Sequence, residues 1–442
     1  MDTLPVELLR LIYSYCDLES VPNLRAVSPT LADVGYEYLI SPHFTSLNWR
    51  NDIDRLHNIA LHERLRGNIQ SINIFLGQLS YYDAWSTSWA QHFVAPPEER
   101  AELMSQARVE FDSIASGRKK VGPLHLRADD LREACSALPN LRDLEVSFAQ
   151  CPSTINNKFI QEAFYWPNCR KLDRQETYQN LDAVMFALHG VKLSSFKVDR
   201  LPLEVFRLSN HRQHWFEHAQ SFSSLTSLNL TLDPSGLQGP SSAFRAVNGL
   251  GRILQLASNV SHLKLAFHPY SSEHSKFALS FGALLFGFTY TRLTDLILEG
   301  VSCDEEDLKE FLARHGSTLA RLRLGGRGLA KPFEASHGGI HLYEGTFRSL
   351  FTGLRTKLPK LERMHLEGIF ECEHQDLPSH ETYNFYPLTD ENWEPVAKPR
   401  WVRSSRRTIS CQPFEEYVLR GGAYPVWSAL VQQDDRLMDL TD

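Results

Sequence analysis

The feature that most restricts what this chain can fold into is a spacing, L-x-x-L-x-L, that recurs along it. Two clear copies bracket the stretch Arg292 to Leu324, as Leu293, Leu296, Leu298 and as Leu319, Leu322, Leu324. The last two leucines of each copy stand two apart, so they share one face of an extended segment and mark a one-sided strand. Between the copies Leu308, Phe311 and Leu312 fall on one helical stripe. Asp304 is expected to cap that helix, Glu305 and Glu306 suit the positive end of its dipole, and Gly316 is expected to end it. One strand-turn-helix unit cannot bury its apolar side alone, so a chain built this way stacks its units into a solenoid.

Further copies begin at Leu193 (Phe196, Val198), Leu225 (Leu228, Leu230), Val260 (Leu263, Leu265) and Leu361 (Met364, Leu366). Starts at 225, 260, 293, 319 and 361 are separated by 35, 33, 26 and 42 residues, an uneven period. Ile69, Ile72 and Ile74 read as a first strand, Val121, Leu124 and Leu126 as another, and Leu141, Leu144 and Val146 as the next, after a helix over 129–137. Helices are expected from Trp49 to Gly67 and from Pro97 to Gly117. Apolar stripes mark others at Phe244 to Leu254, Phe277 to Phe288 and Phe347 to Leu358. Alternating strands and helices predict an α/β fold: a parallel sheet with right-handed crossovers, curved into a horseshoe with its helices outside. The array resembles divergent leucine-rich repeats. Val301 and Ile369 occupy the ninth place where such repeats carry Asn or Cys, with Asp233 in the copy from Leu225, so an asparagine ladder is not expected.

The first 40 residues read differently. Leu4, Leu8, Leu11, Ile12 and Tyr15 mark an amphipathic helix with Thr3 as its cap and Pro5 in its first turn. Asp17 to Ala26 reads as a second short helix, and Ser28-Pro29 as the cap and first turn of a third carrying Leu31, Val34 and Tyr38. The order Leu4-Pro5-x-Glu7-Leu8, then Ile12, Asp17-Leu18, Leu24 and Val27-Ser28 resembles the F-box, the adaptor-binding motif of ubiquitin-ligase receptors. It departs at Pro22, and at Pro29 and Leu31, where the family usually has a basic and an aromatic residue. The order of F-box, divergent repeats and Pro-rich tail is similar to F-box proteins common in filamentous fungi. The resemblance implies that Leu4, Pro5, Leu8, Ile12, Leu18 and Val27 dock a Skp-family adaptor of a cullin ligase complex. The other reading is a helical cap on the solenoid.

Four regions follow: an F-box-like helical motif (1–40), a helical linker with an irregular insertion that starts the solenoid (41–120), the repeats (121–376), and a segment rich in Pro and aromatics (377–442) packed on the last repeats. Phe414 to Leu419 is expected to be a short helix stopped by Gly421-Gly422.

A net charge of -7 provides no general basic field, so nucleic-acid binding is not expected. The apolar run Phe277 to Thr291 falls short of the roughly 20 residues of a membrane span, and no secretory signal is read at the N-terminus. Seven cysteines without a C-x-x-C pair fit a reducing compartment, cytoplasm or nucleus. His211, His214 and His218 follow helical spacing, but Trp215 stands where a metalloprotease helix has Glu. His337 with His341, the run Glu371-Cys372-Glu373-His374, and the basic run Arg400 to Arg407 carry no spacing that specifies a site, and Gly325-Gly326 reads as a repeat turn. Neither a cofactor nor a metal is expected, and no enzyme activity. The expected function is target recognition for a Skp-cullin-F-box ligase. The alternative is a repeat scaffold without a ligase role. Residues flanking the inward leucines would face a target protein, above all Asp295, Ile297, Glu299, Arg321, Arg323, Arg363 and His365.

Overall fold

A computed structural model describes residues 4–80, 85, 96–122, 126–165, 170–207, 214–267, 278–326, 338–372, 383–396 and 408–425. Nine strands lie side by side in chain order: β1 (His43–Leu47), β2 (Ser71–Phe75), β3 (Asp143–Ser147), β4 (Ser195–Pro202), β5 (Ser227–Asp233), β6 (His262–Phe267), β7 (Asp295–Glu299), β8 (Arg321–Gly325) and β9 (Arg363–Cys372). Every neighbouring pair is parallel.

The register explains why the sheet forms. Phe44, Ile72, Leu144, Phe196, Leu228, Leu263, Leu296, Leu322 and Met364 pair across it in one row. Ser46, Ile74, Val146, Val198, Leu230, Leu265, Leu298, Leu324 and Leu366 form a second. No member of either row is more than 5% exposed. Helices Asp52–Leu61, Ala128–Ala137, Arg174–Ala187, Pro240–Leu256, Glu305–Arg314 and Phe347–Lys357 pack their buried stripes into the same core. The architecture is therefore a leucine-rich-repeat-like solenoid, and each buried aliphatic side chain contributes about 1.5–3 kcal/mol.

Several expectations are corrected. The leucine spacing does not announce β1, because Phe44 and Ser46 stand where leucines would mark a strand. The helix after Trp49 spans only Asp52–Leu61. The next is longer than read, Pro97–Val121, so Gly117 lies inside it and Val121 belongs to a helix rather than a strand. Of the Phe277 to Phe288 stripe only Phe281–Leu285 is helical, since Phe286 turns left-handed at φ 48°; Phe277 lies outside the described residues. Asp304 stands at the start of Glu305–Arg314 but its side chain makes no cap bond. The nearby Asp307 instead accepts from the Phe281 and Gly282 N–H groups (2.6 and 2.9 Å), capping the helix of the repeat before. His315, not Gly316, closes the helix. Gly316 has a packing role, because a Cβ there would sit 2.2 Å from the Lys357 carbonyl oxygen of the next repeat.

Two buried polar groups tie the repeats in place of an asparagine ladder. The Asp199 carboxylate accepts from the Ser147 hydroxyl (2.7 Å) and from the N–H groups of Phe148 (2.6 Å), Ala149 (3.0 Å) and Gln150 (2.9 Å), holding the turn after β3. His315, with no exposed surface, receives the Tyr290 N–H at Nε2 (3.0 Å) and donates from Nδ1 to the Phe311 carbonyl (2.9 Å), which fixes its neutral tautomer. Burial lowers its pKa. As pH falls through the ordinary histidine range near 6.5, the unfolded chain gains a proton that folded His315 refuses. Stability is therefore expected to fall between pH 7 and pH 5 by up to about 1.4 kcal/mol per pH unit from this residue. Denaturant melts of wild type and His315→Gln should show a weaker pH slope in the variant.

Candidate interaction surfaces

At the N-terminus, α1 (Val6–Ser14), α2 (Ser20–Arg25) and α3 (Pro29–Val34) surround a small core separate from that of the solenoid: Leu9, Tyr13, Val21, Leu31 and Val34. Ser28 caps α3 as expected, its hydroxyl accepting from the Leu31 N–H (3.3 Å), and Asp17 accepts from the Ser20 N–H (2.7 Å) ahead of α2. The Tyr13 hydroxyl donates to the Leu31 carbonyl (2.8 Å). Thr3 lies outside the described residues, and Pro5 stands at the helix start.

The buried stripe of α1 is Leu9 and Tyr13, not the stripe through Leu8 and Leu11. Leu8 is 46% exposed, Leu11 51% and Tyr15 84%, and their i, i+3, i+7 spacing puts them on one open side of the helix. Leu18 and Val27 are also exposed, whereas Leu4 and Ile12 are half-buried against the small core. Pro5 is exposed. The six-residue set is thus divided between an outward apolar group and a supporting pair. Scattered exposed leucines need no explanation, but an open stripe on a helix that already has a buried one does.

On the solenoid, the residues between the aliphatic rows form a polar face. Glu145 and Lys197 pair at 2.9 Å, and His262 stands 3.1 Å from Asp295, which also holds Arg321. Glu299 stands 3.3 Å from Lys264. Ile297 is half-buried, Arg321 half-buried and Arg363 exposed. Asp295 and Glu299 are buried, contrary to the expectation that they face a target, because His262 and Arg321 hold the first and Lys264 the second.

Arg323 and His365 are not open to a target, contrary to expectation, because the C-terminal segment covers them. β10 (Tyr383–Tyr386) pairs antiparallel with β9, and β11 (Ile409–Ser410) pairs with β10. Between them Thr389 and Pro395 bridge a small hairpin. Arg323, 2% exposed, donates to the Thr389 and Asp390 carbonyls, stands 3.5 Å from Glu367 and lies under the Trp393 ring (5.7 Å). Lys264 joins Glu391 of the same hairpin to Glu299. Burial lowers the Lys264 pKa, but the two carboxylates outweigh it and the net shift is upward. Helix Gln412–Arg420, ended by Gly421 as expected, packs Phe414 on Phe351, Tyr383 and Phe385 and sets Glu415 3.1 Å from His365. The sequence signal for this cover was the density of aromatics after residue 380, but their partners are distant in the chain.

Other motifs resolve simply. The His211 triplet is not assembled among the described residues: His211 and the side chain of His214 lie outside them, and His218 packs edge-on against Phe186 and His189. His341 stands 3.6 Å from Glu371, while His337, Glu373, His374 and Arg400 to Arg407 lie outside the described residues. Gly325 is the last residue of β8 rather than part of a turn; it takes φ 82° there, where a Cβ would meet the Glu367 carbonyl oxygen at 1.9 Å, and Arg327 and Gly328 lie outside the described residues. Among the described residues, no helix is long and apolar enough to cross a membrane. Breaking the buried Arg323 contacts with Arg323→Ala is expected to cost roughly 3–5 kcal/mol. The same change at half-exposed Arg321 should cost within about 1 kcal/mol. Thermal melts would measure both, and hydrogen exchange over 388–396 should rise in the first variant only.

No family model and no curated protein matches this chain. Among solved structures, the leucine-rich repeat-containing protein LegL7 from Legionella pneumophila aligns over 88% of this chain and 99% of its own at 13% identity, with a TM-score of 0.27. At that score the likeness carries no argument, and the repeat assignment rests on the register of the nine strands.

Proposed function

We propose that this chain is a protein-interaction solenoid that serves as a target-recognition subunit of a Skp-cullin-F-box type ubiquitin ligase. The observation that carries the reading is the open apolar stripe of α1, Leu8, Leu11 and Tyr15, next to a module that already has its own core. A helix with apolar residues on two sides, one buried and one open, suits a partner that lays an apolar surface on the second. The F-box-like order of the first 40 residues supplies the class of partner, a Skp-family adaptor. The solenoid would present its polar face to a target, at positions the C-terminal segment leaves accessible, such as Arg363, His262 and Arg321. In this role the chain forms no bond itself and acts by raising the local concentration of a target at the ligase.

One set of contacts favours the cap reading. Arg64 of the first repeat pairs with Asp33 (2.9 Å), and its guanidinium lies over Tyr36, whose hydroxyl meets His62 at 3.0 Å. If the helices were only a cap, removing residues 1–40 would unfold or aggregate the remainder; as a module, they should leave a soluble remainder with a cooperative melt.

The adaptor reading is tested by co-purification. Leu8→Asp with Tyr15→Asp changes exposed side chains and should leave the melting temperature within a few degrees of wild type. Losing two docked apolar side chains should weaken adaptor binding by about 2–4 kcal/mol, or roughly 30- to 1000-fold in Kd. Equal recovery of adaptor by the wild type and this variant would remove the ligase reading.

A further inference from the structure

We propose that His365, Cys411 and Glu415 form a zinc site that pins the C-terminal helix to the last strand of the solenoid. The residues come from two elements that meet only in the folded chain. His365 projects from β9, and Cys411 and Glu415 stand four apart at the start of helix Gln412–Arg420, on one side of its first turn. One ligand atom from each lies within 4.8 Å of the others. His365 Nδ1 is 3.1 Å from Glu415 Oε1 and 3.8 Å from Cys411 Sγ. A tetrahedral zinc with bonds of about 2.0–2.1 Å to nitrogen and oxygen and about 2.3 Å to sulfur spaces its ligands roughly 3.3–3.6 Å apart. Both separations from His365 Nδ1 stand near those values, and the third lies within 4.8 Å.

The surroundings suit a structural ion. His365 is 1% exposed and Cys411 fully buried, with Glu415 half-buried at the rim. Arg323, the register partner of His365 on β8, is engaged by Glu367 and the hairpin carbonyls. A divalent ion would balance one thiolate and one carboxylate. On binding, Zn–S, Zn–N and Zn–O bonds form, the Cys411 S–H breaks and its proton goes to solvent, and the neutral imidazole gives up the Nδ1 proton that faces Glu415 and takes one on Nε2. Three protein ligands leave the fourth position to water at the Glu415 rim. A thiolate with an imidazole and a carboxylate favours zinc over calcium or magnesium, which prefer all-oxygen sets. The Glu415 carboxylate also accepts from the Leu366 N–H (3.2 Å), so it is held to the strand that carries His365.

The test uses the full chain, stripped with a chelator and titrated with Co²⁺ as a spectroscopic probe and with Zn²⁺ in competition. One equivalent of Co²⁺ should give a thiolate-to-cobalt charge-transfer band with the visible bands of a tetrahedral ion, displaced by Zn²⁺. Cys411→Ser should abolish the charge-transfer band. Glu415→Gln, at a half-buried position, should keep the band and weaken binding at least about tenfold. If Cys411→Ser fails to fold by circular dichroism, Glu415→Gln and the wild-type titration decide the matter. A folded wild type that shows no thiolate band, or metal binding unchanged in Glu415→Gln, would overturn the proposal. The Leu8→Asp, Tyr15→Asp variant should bind metal as wild type does, which keeps the outcome separate from the ligase reading.

Discussion

The structure depends on a parallel register in which apolar side chains stack directly on apolar side chains for nine strands. Parallel neighbours need a crossover between them, and among the described residues the crossover helices pack their apolar stripes on the sheet. Because the side-chain period of a strand is two, a slip of one residue would expose a whole aliphatic row and bury charges. The rows therefore fix register along the array. Variable crossover length is tolerated, since loop-closure entropy grows slowly with length while each strand still delivers two buried side chains.

Where standard repeats use an asparagine ladder, this chain satisfies its turns individually. Asp199 gathers three backbone N–H groups and a hydroxyl, Asp307 caps a helix of the preceding repeat, and His315 bridges Tyr290 and Phe311. Each group would be costly to bury without these partners, so each binds one repeat to its neighbour. Such fixed points explain how an array with uneven spacing can still be continuous.

The two ends of the solenoid are finished differently. At the N-terminus a helical module with its own core leaves an apolar stripe open. At the C-terminus a hairpin and helix lie over the polar face of the last strands, and Arg323, Lys264 and His365 become their anchors. Side chains that alternate away from the core are thus exposed or half-buried on the first strands and, in the strand middles, internal on the last. That difference moves any target surface toward the strand starts, at His262, Arg321 and Arg363, and away from the strand middles.

Local spacing in the sequence determined the strands from β3 to β9, the capping of α3, the stop at Gly421 and the polar alternation between leucines, because each depends on neighbours within a few residues. Ile72 and Ile74 also announced β2, while β1, with only Phe44 and Ser46 inside, did not. The helix Arg174–Ala187 was legible in principle from Leu181, Val184 and Leu188 but was obscured by the polar residues before it. Tertiary structure alone decided which side of α1 is buried, since Leu8 and Leu9 are equally apolar and only the positions of Val21, Leu31 and Val34 choose between them. It alone decided that Arg323 and His365 are internal, because the groups that cover them lie about 40 to 70 residues further along the chain. Periodicity identifies the face on which a side chain lies; only long-range packing determines what, if anything, lies above it.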